Sequence, residues 1–170
     1  MLLDFEVRNC SRVCASTGRA LEPGDVYFSV LEVHGAELSR SDYCAEAWKR
    51  PPETCLGWWR SRVPTKDDAQ PQLAPVDVLI NLFVALAERP EDAPFRYLLG
   101  LLLLRRRVLR REDVQRDAQD QETWLLYCPR RRERFELAVA EPNEQDAERL
   151  QQRMIDLLYG GDTEPDLVNG

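Results

Sequence analysis

The chain has 170 residues, of which 44% are apolar and 31% charged, and a formal net charge of −7. That length supports one ordinary domain or two small ones, and the acidic balance argues against wholesale attraction to nucleic acid or anionic lipid, while leaving room for a local basic patch. Met1-Leu2-Leu3-Asp4-Phe5-Glu6 lacks the basic start and long apolar run of a secretory signal, and the most apolar window, residues 98–104, stops at Arg105-Arg106-Arg107, far short of the roughly 20 residues a membrane span needs, so a cytoplasmic location without a membrane partner is expected.

In chain order, Glu22-Pro23-Gly24-Asp25 is a turn signal, because proline presets φ and glycine tolerates a positive one. Residues 26–33 are rich in β-branched and aromatic side chains; His34-Gly35 can turn the chain, and residues 36–43 can return as the second strand of a hairpin. Ser41 or Asp42 can then cap a short helical turn through Ala45 and Trp48, which Pro51-Pro52 must end. Residues 63–75 carry three prolines and little to bury, the composition of a linker. Beyond them Val76, Leu79, Leu82, Phe83 and Leu86 recur at helical spacing, predicting a helix from Pro75 to about Glu88. Arg89 to Pro94 restarts the chain, and Phe95, Leu98, Leu99 and Leu102 mark a second, very apolar helix. Between Val108 and Ala140 the period shifts to two, with Trp124, Leu126 and Cys128 on one strand face and Phe135, Leu137 and Val139 across a turn, predicting a three-stranded meander. Asn143 can cap a last helix with a stripe of Ala147, Leu150, Met154 and Leu157, closed by Gly160-Gly161.

The fold class expected is therefore α+β: a β-hairpin module over residues 1–62, a linker over 63–75, an α-α-β-β-β-α domain over 76–160 and a flexible tail over 161–170.

Five cysteines in a reducing compartment are expected as thiols or metal ligands rather than as disulfides. A zinc knuckle places two thiolates three residues apart on a tight turn, commonly followed by glycine, so that both sulfurs reach one tetrahedral ion. Cys14-Ala15-Ser16-Thr17-Gly18 has that frame with threonine at the second ligand position, and Cys44-Ala45-Glu46-Ala47, where a treble clef would place its second pair, again has only the first cysteine. Cys10, Cys14, Cys44 and Cys55, with His34 as a further candidate, can be assembled into a ligand set for one structural zinc. The spacings are loose, and thiols packed as small apolar residues in a fold that has lost its metal are the favoured reading, with no cofactor.

The run from Cys14 to Asp25, with Tyr27-Phe28-Ser29-Val30-Leu31, Asp42-Tyr43-Cys44 and Glu46-Ala47-Trp48, resembles an uncharacterised family of small bacterial proteins whose N-terminal module is a degenerate zinc ribbon or treble clef. The resemblance extends through Gly57-Trp58-Trp59-Arg60-Ser61-Arg62 and into Leu102 to Leu109, so it covers most of the chain. It implies a shared fold and a bacterial cytoplasm, and supplies no catalytic residue.

Two further clusters bear on binding. Trp58, Trp59 and Arg60 can anchor a protein partner, since such side chains concentrate binding energy; packing between the two units is the competing use. Between Leu101 and Arg134 stand ten arginines (Arg105, Arg106, Arg107, Arg110, Arg111, Arg116, Arg130, Arg131, Arg132, Arg134) against six acids, a surplus of four in an acidic chain. With Trp124 or Tyr127 beside them they can grip phosphates and stack bases, or pair with Glu112, Asp113, Asp117 and Glu133 on a solvated surface. No catalytic signature accompanies these clusters: there is no phosphate-binding glycine loop, no G-x-S-x-G elbow and no H-E-x-x-H, and the sole histidine falls at a turn. The sequence thus points to a noncatalytic protein-interaction or scaffold protein, with a nucleic-acid or ribonucleoprotein-associated factor as the alternative.

Overall fold

The computed structural model describes residues 13–35, 37–65 and 72–160. They form an α+β fold with two three-stranded antiparallel sheets, a two-stranded ladder and three α-helices. The chain divides into two compact units, whose described parts are residues 13–81 with 153–160, and Leu82–Gln152; the boundaries fall inside the first and last helices.

In the first unit, Glu22 to Asp25 makes the expected turn: the Asp25 amide donates to the Glu22 carbonyl at 2.9 Å and Gly24 takes φ +90°. Strands β1 (Val26–His34) and β2 (Glu37–Cys44) form the hairpin, with Tyr27 opposite Cys44 and His34 opposite Glu37. A third strand, β3 (Gly57–Arg62), lies on the other side of β1, with Phe28 opposite Arg60 and Val30 opposite Trp58, so the order is β2-β1-β3. Asp42 and Ser41 do not cap a helical turn. Both remain in β2, Asp42 is buried, and the carbonyl of Cys44 itself receives the amides of Ala47 and Trp48 at 3.1 and 3.0 Å.

Alternation sends Tyr27, Ser29, Leu31, Asp42 and Trp59 to one face of this sheet, where all are buried. The Ser29 hydroxyl donates to Asp42, and Arg40 donates to the same carboxylate oxygen at 3.1 Å and to the Ser29 oxygen at 3.1 Å. Its guanidinium lies 5.1 Å from the Trp59 ring centroid. It also donates to the carbonyls of Leu157 and Tyr159, which orients the end of the last helix, α3 (Glu144–Leu158). Cations suit a helix C-terminus, where carbonyls lack intrahelical partners. Immediately afterwards, β8 (Tyr159–Gly160) pairs with β4 (Gln72–Leu73) as a short ladder rather than simply closing the helix at Gly160.

Within the stretch expected as linker, Val63 and Ala74 are buried and Gln72–Leu73 is a strand; residues 66–71 lie outside the described residues, as do Cys10 and the tail over 161–170. Helix α1 (Val76–Leu86) begins where the Pro75 carbonyl accepts the amides of Val78 and Leu79, and ends two residues short of Glu88 as its carbonyls turn to i→i+3 bonds. Its first turns meet the start of β3: a Cβ on Gly57 would lie 2.6 Å from Val78 Cγ2, and the Asn81 side chain donates to the Leu56 carbonyl at 2.7 Å.

In the second unit, a 3₁₀ turn (Pro90–Asp92) leads into α2 (Ala93–Arg105), with Pro94 in the first turn, where a missing N–H costs nothing. The meander follows: β5 (Arg110–Arg116), β6 (Glu122–Cys128) and β7 (Glu133–Ala138), in that spatial order. Leu126, Cys128 and Leu137 are buried, as their alternation predicts, and Phe83 meets Phe135 edge-on at 5.7 Å. Gly100 permits a close approach of α2 to β7, since a Cβ there would sit 2.5 Å from Leu137 Cδ2. The buried Arg96 donates to the carbonyls of Phe83 and Glu136 at 2.9 and 2.8 Å, its guanidinium 4.1 Å from the Phe83 ring; desolvation holds its pKa down at about 10. Asn143 caps α3, accepting the Asp146 amide at 2.8 Å.

No helix among the described residues is long and apolar enough to cross a membrane.

Candidate functional site

The outer face of the β2-β1-β3 sheet carries four aromatic rings. Phe28 on β1 and Tyr43 on β2 are cross-strand partners, and Trp58 on β3 stands beside Val30, the next residue of β1 on that face. Trp48 arrives from the turn after β2, stacks on Phe28 at 4.7 Å with its plane 2° away, and lies 5.8 Å from Tyr43 and 5.6 Å from Trp58. Val30, on the same face, is fully buried, while Trp58 keeps 45% of its surface exposed. Arg60, opposite Phe28, and Arg62 extend along the same strand face and are exposed. Trp58 is thus an exposed ring packed among three half-buried ones, with arginines on the same strand face.

Trp58 and Trp59 do not act as a pair. Successive strand residues face opposite ways; Trp58 joins the outer cluster, and Trp59 is buried against Arg40 on the inner face. Phe28, Tyr43 and Trp48 were not legible as members of the site, because only the register of three strands brings them together.

On the inner side, Cys14 and Cys44 meet. Each is 1% exposed, and with Leu21, Tyr27 and Val63 they form one small core against which Ala47 packs. The Cys44 amide donates to the Cys14 sulfur at 3.3 Å. Burial pushes the Cys14 thiol up, but the Thr17 hydroxyl and the amides of Cys44, Thr17 and Ser16, all donated to its sulfur, outweigh that and hold it at about 6. Arg19 donates to the Cys44 sulfur, which raises the guanidinium pKa, and lies 3.5 Å from Asp25. Cys55 is half-buried in the turn after Pro52, outside this core, and His34 is exposed at the hairpin end with Nε2 3.4 Å from Glu32. Among the described residues no group of three or more His, Cys, Asp or Glu side chains is arranged to hold a metal ion. Among the described residues the two turns offer two thiols, a hydroxyl and a methyl group, which by themselves are not the closed donor set of a tetrahedral zinc site; Cys10 lies outside them.

The arginines of the second unit are spread around the β5-β6-β7 sheet. Arg110, Tyr127 and Arg134 form one cross-strand row. Arg134 lies 4.9 Å from the Tyr127 ring and pairs with Glu112 at 2.8 Å; Arg111 lies 5.0 Å from the Trp124 ring, and Arg116 pairs with Asp120 and Glu122 at 3.0 Å each. Arg105, Arg106 and Arg107 end α2 and begin the exposed turn that follows it, where Arg107 takes φ +61°. Arg130, Arg131 and Arg132 occupy the β6–β7 turn, Arg132 at φ +55°.

No protein-family model, curated protein or solved structure matches the chain.

Proposed function

We propose that the chain is a noncatalytic interaction protein of the bacterial cytoplasm, and that its N-terminal module holds a protein partner on the aromatic face of the β2-β1-β3 sheet. The observation that carries this reading is Trp58: a tryptophan left 45% exposed within a cluster of four rings, with Arg60 and Arg62 on the same strand face. A tryptophan beside an arginine, on a surface already ordered by neighbouring rings, binds with little loss of side-chain freedom. The cations on that strand face favour a partner segment bearing carboxylates. Trp58→Ala is the test. It removes an exposed ring, so it is expected to leave the melting temperature nearly unchanged while weakening capture of the partner by about 2 kcal/mol or more, over tenfold. Equal recovery of every partner by wild type and Trp58→Ala, quantified by mass spectrometry of proteins retained from native lysate, contradicts the proposal.

A second reading, nucleic-acid binding by the arginine-rich sheet, draws support from the Arg110-Tyr127-Arg134 row, where Tyr127 stands between two arginines in register and the Arg134 guanidinium lies over its ring. Against it, Arg134 and Arg116 already hold carboxylates. Retention on RNA or DNA that falls steeply with salt and disappears on replacing Arg130, Arg131 and Arg132 by alanine would establish this reading; no retention at low salt would remove it.

A further inference from the structure

We infer that the turns over residues 14–18 and 44–48 keep the frame of a four-point metal clasp in which internal hydrogen bonds have taken the place of the ion. Two of the four ligand positions of such a clasp, Cys14 in the first turn and Cys44 in the second, are buried in one small core; the other two are Thr17, which is exposed, and Ala47. Both cysteines belong to that core, Ala47 packs against it, and the Thr17 hydroxyl donates to the Cys14 sulfur. The positions are three apart within each turn, the separation that lets two thiolates reach a single tetrahedral ion. The backbone keeps the shape such a turn requires. The Cys14 carbonyl accepts the Gly18 amide at 2.8 Å, Gly18 takes φ +75°, and the Cys14 amide donates to the Arg19 carbonyl at 2.8 Å. In the second turn the Cys44 carbonyl accepts two amides.

What an ion would supply at this point is positive charge and a link between the two turns. Here the hydrogen bond from the Cys44 amide to the Cys14 sulfur makes the link at 3.3 Å, and the Cys44 side chain raises the pKa of the Arg19 guanidinium, the cation of the first turn. Two further contacts tie the first turn down: the Ala15 amide donates to the Asp42 carbonyl at 2.7 Å, and Val13 bridges Ala20. The clasp therefore stands closed on side chains and backbone alone, with its second ligand position in each turn given to a hydroxyl and a methyl.

The inference is independent of the docking proposal and is tested on the whole chain, purified without added metal. Wild type titrated with cobalt(II) is expected to develop no thiolate-to-cobalt absorption, and its melting temperature is expected to be the same with and without a strong chelator. Thr17→Cys/Ala47→Cys is expected to bind one cobalt per chain with tetrahedral absorption, to exchange it for zinc, and to melt higher with the metal than without. Stoichiometric metal on wild type overturns the inference, as does a folded double variant that takes up none. Thr17→Val and Thr17→Ser test the replacement bonds without any metal. Thr17→Val should lower the melting temperature and Thr17→Ser, which keeps the hydroxyl, should hold it; equal melting of both with wild type overturns the inference as well.

Discussion

Cys14 is an ordinary thiol in sequence and an acidic one in the fold. Its pKa is about 6 in the folded chain against an ordinary 9.0, so between those values the unfolded chain binds more protons and stability rises with pH. The contribution is fully present above about pH 9 and is lost as pH falls through 6. Cys14→Ser removes it, and the stability difference between wild type and Cys14→Ser, read from urea midpoints, should therefore narrow as pH drops from 9 to 6; a difference independent of pH would contradict the hydrogen-bonded thiolate. Gly100 makes a different residue-scale prediction. A methyl group there meets Leu137 Cδ2 at 2.5 Å and Phe83 Cε2 at 3.3 Å within a packed core. Gly100→Ala should destabilise by about 1–3 kcal/mol despite the better helix propensity of alanine, measurable as a lower denaturant midpoint at unchanged slope.

At the scale of elements, Arg40 connects the N-terminal sheet to the end of α3 through the carbonyls of Leu157 and Tyr159, and to Asp42 through its carboxylate. Arg40→Met strips the buried Asp42 carboxylate of its guanidinium and is expected to cost about 3–5 kcal/mol, whereas Arg40→Met/Asp42→Asn should recover part of that loss. A double variant no more stable than the single one would show that the carbonyl contacts dominate. The elements that period and capping describe were legible: the β1–β2 hairpin from its β-branched run, α1 and α2 from helical spacing, the meander from alternation at Trp124, Leu126 and Cys128, and the α3 cap from Asn143. Strand β3 was not. Gly57-Trp58-Trp59-Arg60-Ser61-Arg62 is short and one-third charged, and adjacent tryptophans read as one anchor until a strand sends them to opposite faces. Ser41 and Asp42 misled for a related reason: their residue types favour helix caps, but pairing with β1 and, for Asp42, a buried partner in Arg40 outweigh local preference. The short Gln72–Leu73 ladder escaped because its partner lies at the far end of the chain. Of the candidate site, Trp58, Arg60, Cys14 and Cys44 could be named from sequence, and the rings of Phe28, Tyr43 and Trp48 could not, since their grouping depends on a register no local pattern records.

For the molecule as a whole, the aromatic face and the arginine-rich sheet belong to different units and offer different chemistry: stacked rings with arginines on the same strand face on one, and on the other arginines of which Arg111, Arg116 and Arg134 are engaged with acids or rings. The fully exposed edge strand β5, reading Arg-Arg-Glu-Asp-Val-Gln-Arg, carries charge enough to discourage sheet-to-sheet pairing, which fits a solvated edge better than a docking edge. Replacing Arg130, Arg131 and Arg132 together should therefore leave partner capture by the N-terminal module within about twofold of wild type, since exposed charges outside the docking face act mainly through salt-screened attraction. The most direct measurement of the central claim is contact-specific photocrosslinking in the living cell, with a photoreactive side chain at position 58 in one strain and at position 132 in another. The account predicts a discrete protein adduct from position 58 that disappears when Arg60 is replaced by glutamate, and none from position 132. Adducts from position 132 alone, or nucleic acid in place of protein, would contradict it.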